Sequence, residues 1–151
     1  MPRIVREAGV SWEGNLARGT GAITATSSGA FVDLPFSIAA RIAVAPDQTS
    51  PEELLAAAHA TCFVTSLGSE LARAGTPPER MHVHCTITMD EVEGKGHLIV
   101  ASAISARVVA PGVDDAGLAK AAEDADAGCP FSALIRASAT VTVDASLEGG
   151  I

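Results

Sequence analysis

The chain has 151 residues, 48% of them hydrophobic and 19% charged, which is typical of a single globular domain spanning residues 1–151. Its formal net charge of −8 argues against nucleic acid and anionic membrane surfaces as partners, because both are bound by basic patches. The three cysteines, an odd number, argue against a structural disulfide framework.

The N-terminal third predicts three strands. Its opening stretch, MPRIVREAGVSW, carries charges without a following apolar segment, so we expect no secretory signal and a cytoplasmic location. Beta-branched residues at 4–12 and 20–26 predict two strands, joined by a turn at RGTG. Alternating side chains at 36–44 predict a third strand, with Arg41 near its end.

A long helix is predicted from about Ser50 to about Arg73. Ser50 is a favourable N-cap, Pro51 suits the first helical position, and Glu53 completes a capping box. Gly75 and the prolines after it are typical of a helix end.

This helix has no formally charged side chain between Leu54 and Leu67. The apolar run is too short to span a bilayer, so no membrane contact is expected. A helix that is apolar on every face is normally buried on every face. One domain with a few strands covers only part of it, so we expect a second copy of the chain to cover the rest in an obligate homodimer.

The second half predicts a hairpin, a helix, a short helical turn and a final strand. The hairpin covers 81–110 and turns at EGKG. The helix lies within 111–128, the helical turn within 129–137, and the strand within 138–147. Because most of the strands are linked by hairpins, the fold class is α+β rather than a doubly wound parallel sheet.

The long helix carries a mixed stripe of side chains. Glu52, Leu55, His59 and Cys62 fall at i, i+3, i+7 and i+10, so they face roughly one direction. This stripe indicates either a site that holds a reactive thiol or a packed seam in which Cys62 acts as a small apolar residue. Spacing alone leaves both interpretations open.

The two other cysteines differ in setting. Cys129 lies between a helix end and Pro130, where a turn could bring its sulfur to a partner. Cys85 follows His82 and His84 but points to the opposite face of its strand, which argues against a metal site there. No zinc-type spacing is present in the sequence.

Four motifs carry a family resemblance: W12-E-G, R18-G-T-G, TSPEELLAAAHATCF and GCPFS. The chain resembles the OsmC/Ohr family of thiol-dependent peroxidases, its OsmC branch in particular, over nearly its whole length. Ser50 stands where the family often has Asn, and Phe131 where it often has Val. The resemblance implies antiparallel β-sheets around a long buried central helix, in an intertwined homodimer.

The resemblance also implies residue roles. Cys62 matches the peroxidatic cysteine and Cys129 the resolving cysteine. Glu52 matches a glutamate that holds a catalytic arginine. Arg41 is the better match for that arginine, and Arg18 is the second candidate.

The implied reaction is the reduction of organic hydroperoxides, and less readily of hydrogen peroxide, to alcohols. It would pass through a Cys62 sulfenic acid and a Cys62–Cys129 disulfide. The family needs no bound cofactor; an external dithiol, such as dihydrolipoamide or a lipoylated protein, would reduce the disulfide.

Elementary electrostatics supports the need for an arginine. Cys62 lies about three turns into its helix, beyond the reach of the helix dipole, and burial raises a thiol pKa. A unit charge about 4 Å away is worth about 4 kcal/mol at an effective dielectric constant of 20, enough to lower that pKa by roughly 2–3 units.

Two other function classes compete with this interpretation. The chain could be a non-catalytic, stress-associated protein that binds a small ligand. A cysteine hydrolase using Cys62 with His59 is disfavoured, because residues three apart on one helix have little freedom to form an attack geometry. The sequence assigns no definite role to His59 or Cys85.

Overall fold

The computed structural model describes residues 2–149. These residues form two compact units, one up to Pro51 and one from Glu52 onward. Each unit contains its own three-stranded sheet. Long helices lie in the second unit, so the α+β class is confirmed. The assignment of the whole chain to a single domain stays a prediction.

The first unit is an antiparallel sheet with strand order β1-β2-β3. Trp12 on β1 and Phe36 on β3 stack across it, with ring centroids 5.5 Å apart. Gly21 on β2 makes room for this stacking, because a Cβ there would lie 2.1 Å from the Phe36 ring. The strands are β1 (Gly9–Glu13), β2 (Thr20–Thr24) and β3 (Leu34–Phe36).

The prediction that a third strand runs through 36–44 was wrong beyond Phe36. The Ser37 hydroxyl accepts a hydrogen bond from the Ala40 backbone N–H at 3.1 Å and caps a one-turn helix, α1 (Ile38–Arg41). A serine cap competes with strand pairing at this point. Arg41 is therefore the last residue of a short helix and does not lie on a strand.

Helix α2 (Pro51–Arg73) has the predicted bounds. It begins directly after Ser50, and Glu52 and Glu53 occupy its first turn, where negative charge complements the helix dipole. At its end Gly75 adopts φ +82°, and the backbone N–H of Thr76 donates to the Leu71 carbonyl at 3.0 Å. This is a Schellman ending, which favours glycine.

The second unit builds a sheet with order β4-β5-β6 beneath α2. The β4–β5 hairpin is antiparallel, whereas β6 runs parallel to β5 because two helices return the chain between them. Asp114 caps the first of these helices by accepting a hydrogen bond from the Gly117 N–H at 2.8 Å. The elements are β4 (Arg80–Val92), β5 (Gly96–Val109), α3 (Asp115–Gly128), α4 (Pro130–Arg136) and β6 (Thr140–Leu147).

One face of α2 forms the core of this unit. Its fully buried side chains are Phe63, Leu67, Leu71 and His59, and the three apolar ones pack with residues of β5 and α3. The opposite face, which includes Thr61 and Thr65, is exposed. The helix is thus not covered on every side within one chain, and the homodimer stays a prediction.

By length and composition alone, α2 also satisfies the criteria for a membrane span, as the central helices of water-soluble proteins do. Its fully buried residues pack against the unit's own sheet and helices.

Candidate active site

Cys62 lies at the border between the buried and exposed faces of α2. Its neighbour Phe63 is fully buried, Thr61 is exposed, and Cys62 itself is half-buried. The thiol lines an open cleft of about 440 Å³ with mainly apolar walls. The cleft is lined by Ala57, Ala58, Thr61, Cys62, Thr65 and Phe131.

Cys129 lies at the joint between α3 and α4, where it is both the C-cap of one helix and the N-cap of the next. Pro130 at the start of α4 disfavours helical backbone in the residue before it, and Cys129 is accordingly extended, with φ −80° and ψ 114°. The side chain of Cys129 is fully buried.

The fold brings these two thiols together. The Cys62 and Cys129 thiols lie close enough to influence each other's ionisation, and neither is in a disulfide. The two cysteines lie 67 positions apart in the sequence, and their roles as peroxidatic and resolving thiols stay a prediction.

The pKa of the Cys62 thiol is raised above its ordinary value. Burial is the main cause, and the neighbouring Cys129 thiol adds to it. The backbone N–H of Phe131 and the Ser66 hydroxyl oppose the rise, because both donate hydrogen bonds that stabilise a thiolate. Burial prevails, so a substantial thiolate population at neutral pH requires additional positive charge.

The other predicted site residues are distributed over both units. Glu52 is half-buried in the first turn of α2, about 15 Å along the helix axis before Cys62. Arg41 ends α1 in the first unit. Arg18 follows β1 in the same unit, with an exposed side chain and a backbone N–H that donates to the Asn15 side chain at 3.0 Å.

A polar cluster that the sequence did not predict lies behind Cys62, in the core. The His59 ring is fully buried, with Nδ1 2.7 Å from Ser102 Oγ and Nε2 2.8 Å from Ser132 Oγ. Cys85 Sγ lies 3.3 Å from the same Ser102 oxygen. We call His59, Ser102, Ser132 and Cys85 the histidine cluster.

Burial shifts the pKa values of the two titratable groups in this cluster. It lowers the pKa of His59 and raises that of the Cys85 thiol, so both groups favour their neutral forms. Within residues 2–149, no group of three or more His, Cys, Asp or Glu side chains is arranged to hold a metal ion.

The fold and the paired thiols are those of a thiol-dependent peroxidase, and comparison with known proteins identifies the family. The family model described as OsmC-like protein matches residues 45–144. Peroxiredoxin OsmC of Escherichia coli (strain K12) is 34% identical over 137 residues, covering 91% of this chain and 92% of that protein. The chain therefore belongs to the OsmC-like family.

Two further similarities agree with this assignment. An organic hydroperoxide resistance protein of Xanthomonas axonopodis pv. citri is 28% identical over 98 residues, or 64% of this chain and 66% of that protein. The crystal structure of an organic hydroperoxide resistance protein from Elizabethkingia anophelis has a TM-score of 0.74 at 20% identity, covering 97% and 100% of the two chains. The latter similarity confirms the fold.

Proposed function

We propose that this protein reduces organic hydroperoxides, and hydrogen peroxide less readily, with Cys62 as the peroxidatic thiol and Cys129 as the resolving thiol. The observation that carries the proposal is the pairing of a thiol that faces an apolar cleft with a fully buried second thiol. Family membership supports the same chemistry, since relatives are named peroxiredoxin and organic hydroperoxide resistance protein.

The cleft favours substrates with an organic group. Alanine side chains, the methyl groups of Thr61 and Thr65, and the Phe131 ring can cover an alkyl or aryl group while its peroxide faces Cys62. Each Å² of apolar surface removed from water contributes about 25 cal/mol, so covering on the order of 100 Å² would contribute about 2.5 kcal/mol. Hydrogen peroxide has no such surface to bury.

The reaction then takes three steps. The Cys62 thiolate attacks one peroxide oxygen, the O–O bond breaks, and the alkoxide takes a proton and leaves as an alcohol, so that Cys62 becomes a sulfenic acid. The Cys129 sulfur attacks the Cys62 sulfur, a disulfide forms, and water leaves. An external dithiol restores both thiols by two exchange reactions and becomes a disulfide itself.

Activation of Cys62 is assigned to Arg41, with Arg18 as the second candidate, and Glu52 is proposed to fix the guanidinium by a paired hydrogen bond. Glu52 and Cys62 of one helix are separated by about 15 Å along the axis of α2, which is too far for a single guanidinium to contact both. This spacing supports the proposed homodimer, in which the exposed face of α2 would meet a second copy of the chain.

A peroxide assay with a recycling dithiol tests the proposal. Wild-type protein with cumene hydroperoxide and dihydrolipoamide should turn over continuously, and Cys62→Ser should not consume peroxide. Cys129→Ser should consume about one equivalent and then stop with Cys62 oxidised. Cys85→Ser is the matched control and should retain turnover. Sustained turnover by Cys62→Ser would overturn the assignment, and wild-type protein that binds peroxide without consuming it would favour a binding protein.

A further inference from the structure

The histidine cluster joins three elements through one imidazole ring. His59 lies on α2, Ser102 on β5 and Ser132 on α4, and all three side chains are fully buried. Of the two hydrogen bonds between the ring and serine hydroxyls, only the one to Ser132 connects the helix that carries Cys62 with the helix that Cys129 caps.

The start of α4 depends on such contacts. The helix has seven residues, which is too short to be stable alone, and the Cys129 side chain makes no capping hydrogen bond. Its far end is held by the ion pair between Arg136 and Asp126 of α3. Ser132, three residues after Cys129, ties the first turn directly to α2.

Both nitrogens of the His59 ring already have hydrogen-bonding partners in the core. Each of its two nitrogens is within hydrogen-bonding distance of a serine hydroxyl, Nδ1 of Ser102 and Nε2 of Ser132. A neutral imidazole donates through one nitrogen and accepts through the other, and serine hydroxyls can serve in either direction. Both ring nitrogens can therefore be satisfied at the same time by the two serines.

We propose that His59 is a positioning residue for the resolving step: its hydrogen bond to Ser132 holds the first turn of α4 against α2, so that the Cys129 sulfur stays within reach of oxidised Cys62. The proposal rests on the proposed function. The step it assists joins Cys62 sulfenic acid and the Cys129 thiol into a disulfide and releases one water molecule.

Positioning matters here because two reactions compete for the sulfenic acid. Disulfide formation is intramolecular and depends on how often Cys129 is correctly placed. A second peroxide molecule instead oxidises Cys62 irreversibly to sulfinic acid and is itself reduced to an alcohol. A looser α4 should slow only the first of these reactions, so more Cys62 should be lost to overoxidation at the same peroxide concentration.

Two serine variants test the proposal, because both serines are fully buried and both contact the same ring. Ser132→Ala removes the link between α2 and α4, whereas Ser102→Ala removes the link to β5 and leaves the first intact. Stopped-flow consumption of one equivalent of peroxide, disulfide formation in quenched samples, and sulfinylated Cys62 by mass spectrometry should be measured for each.

Ser132→Ala should form the disulfide about five- to tenfold more slowly and accumulate more sulfinylated Cys62, while peroxide consumption in the first turnover stays within about twofold of wild type. Ser102→Ala should form the disulfide at close to the wild-type rate. Equal slowing in both variants, or none in Ser132→Ala, would overturn the positioning role. His59→Leu should behave like Ser132→Ala. If His59→Leu does not fold, the comparison of Ser132→Ala with Ser102→Ala still tests the proposal.

A readout without peroxide separates this proposal from the proposed function. The fraction of Cys62–Cys129 disulfide in glutathione redox buffers reports how effectively the fold pairs the thiols, whatever the protein's substrate. Ser132→Ala should need a more oxidising buffer than Ser102→Ala to form half of its disulfide. If this difference appears while wild-type protein consumes no peroxide, the proposed function fails and the positioning role of His59 stands. No difference in the buffers would count against positioning even if peroxide turnover is normal.

Discussion

Cys62 faces an open cleft, whereas the neighbouring thiol of Cys129 is completely buried. The two sulfurs are therefore unequal in their access to any molecule in solution. In the proposed reaction a peroxide would reach Cys62 first, and Cys129 would react only with the oxidised Cys62. Burial would protect Cys129 from direct oxidation, as the proposed resolving role requires.

Thiol alkylation should reveal this inequality directly. In the reduced, folded protein, iodoacetamide should modify Cys62 at least about tenfold faster than Cys129, because alkylation requires both access and an ionised sulfur. Peptide mass spectrometry over time gives both rates, and unfolding in denaturant supplies the control in which the rates converge. Equal rates in the folded protein would contradict the burial of Cys129.

The Ser66 hydroxyl should contribute to activation of Cys62. It donates a hydrogen bond that favours the thiolate, so Ser66→Ala should raise the pKa of Cys62 further and slow peroxide attack at pH 7 about three- to tenfold. Raising the pH should restore the rate. Ser69→Ala is the matched control, because its hydroxyl is exposed and donates to the Thr65 carbonyl at 2.9 Å. A pH–rate profile that is identical in all three proteins would exclude this role.

The sequence predicted α2 almost to the residue because its signals are local. Pro51 begins the helix and Gly75, in the left-handed region, ends it without help from distant parts of the chain. The short helix α1 was missed because Phe36, Ile38 and Ala40 alternate like a strand. The competing signal was Ser37, whose hydroxyl caps a helical turn.

Local sequence patterns could not predict the hydrogen-bonding partners of His59. Ser102 and Ser132 lie 43 and 73 positions away in the sequence, and a buried serine has no signature that separates it from an exposed one. Ser132 does lie in the GCPFS motif, but nothing in that motif distinguishes its serine as a partner of His59. Pairing of Cys62 with Cys129 came from family resemblance, not from spacing.

Arginine variants should test the proposal that Arg41, or else Arg18, supplies the positive charge that lowers the pKa of Cys62. Loss of a charge about 4 Å from the sulfur should raise that pKa by roughly 2–3 units, as followed by thiolate absorbance against pH. We expect this rise in Arg41→Ala and little change in Arg18→Ala. The pKa should rise less in Arg41→Lys, which keeps the positive charge but lacks the planar guanidinium. A rise in Arg18→Ala alone would transfer the role to Arg18.

The exposed face of α2 predicts a homodimer. Light scattering at micromolar concentration should give a mass twice that of the chain. Thr65→Arg places a charge on that face of the helix, beside its own counterpart if two copies pack there, and should shift the mass toward the monomer. Arg73→Glu, a charge change at the exposed end of the same helix, is the control. A monomeric wild-type protein would contradict the dimer.

Buried His59 should make stability depend on pH in a defined direction. Because its pKa is lowered in the folded protein, the unfolded chain binds a proton more readily. The stabilisation is fully present above the unfolded pKa of about 6.5 and is lost as the pH falls below it, at up to about 1.4 kcal/mol per pH unit, until the folded pKa is reached.

The charged groups acting on this ring from neighbouring helices oppose each other, since Asp126 on α3 favours the charged imidazole and Arg136 on α4 disfavours it. On β4, Cys85 is kept neutral by burial.

Urea unfolding at about pH 7.5 and pH 5.5 tests this pH dependence. The wild type should lose stability at the lower pH, and the loss should be smaller in His59→Gln, which can still form hydrogen bonds but does not titrate in this range. The difference between the two proteins isolates the histidine from carboxylates that also titrate at low pH. Parallel losses in both proteins would show that His59 does not carry the effect.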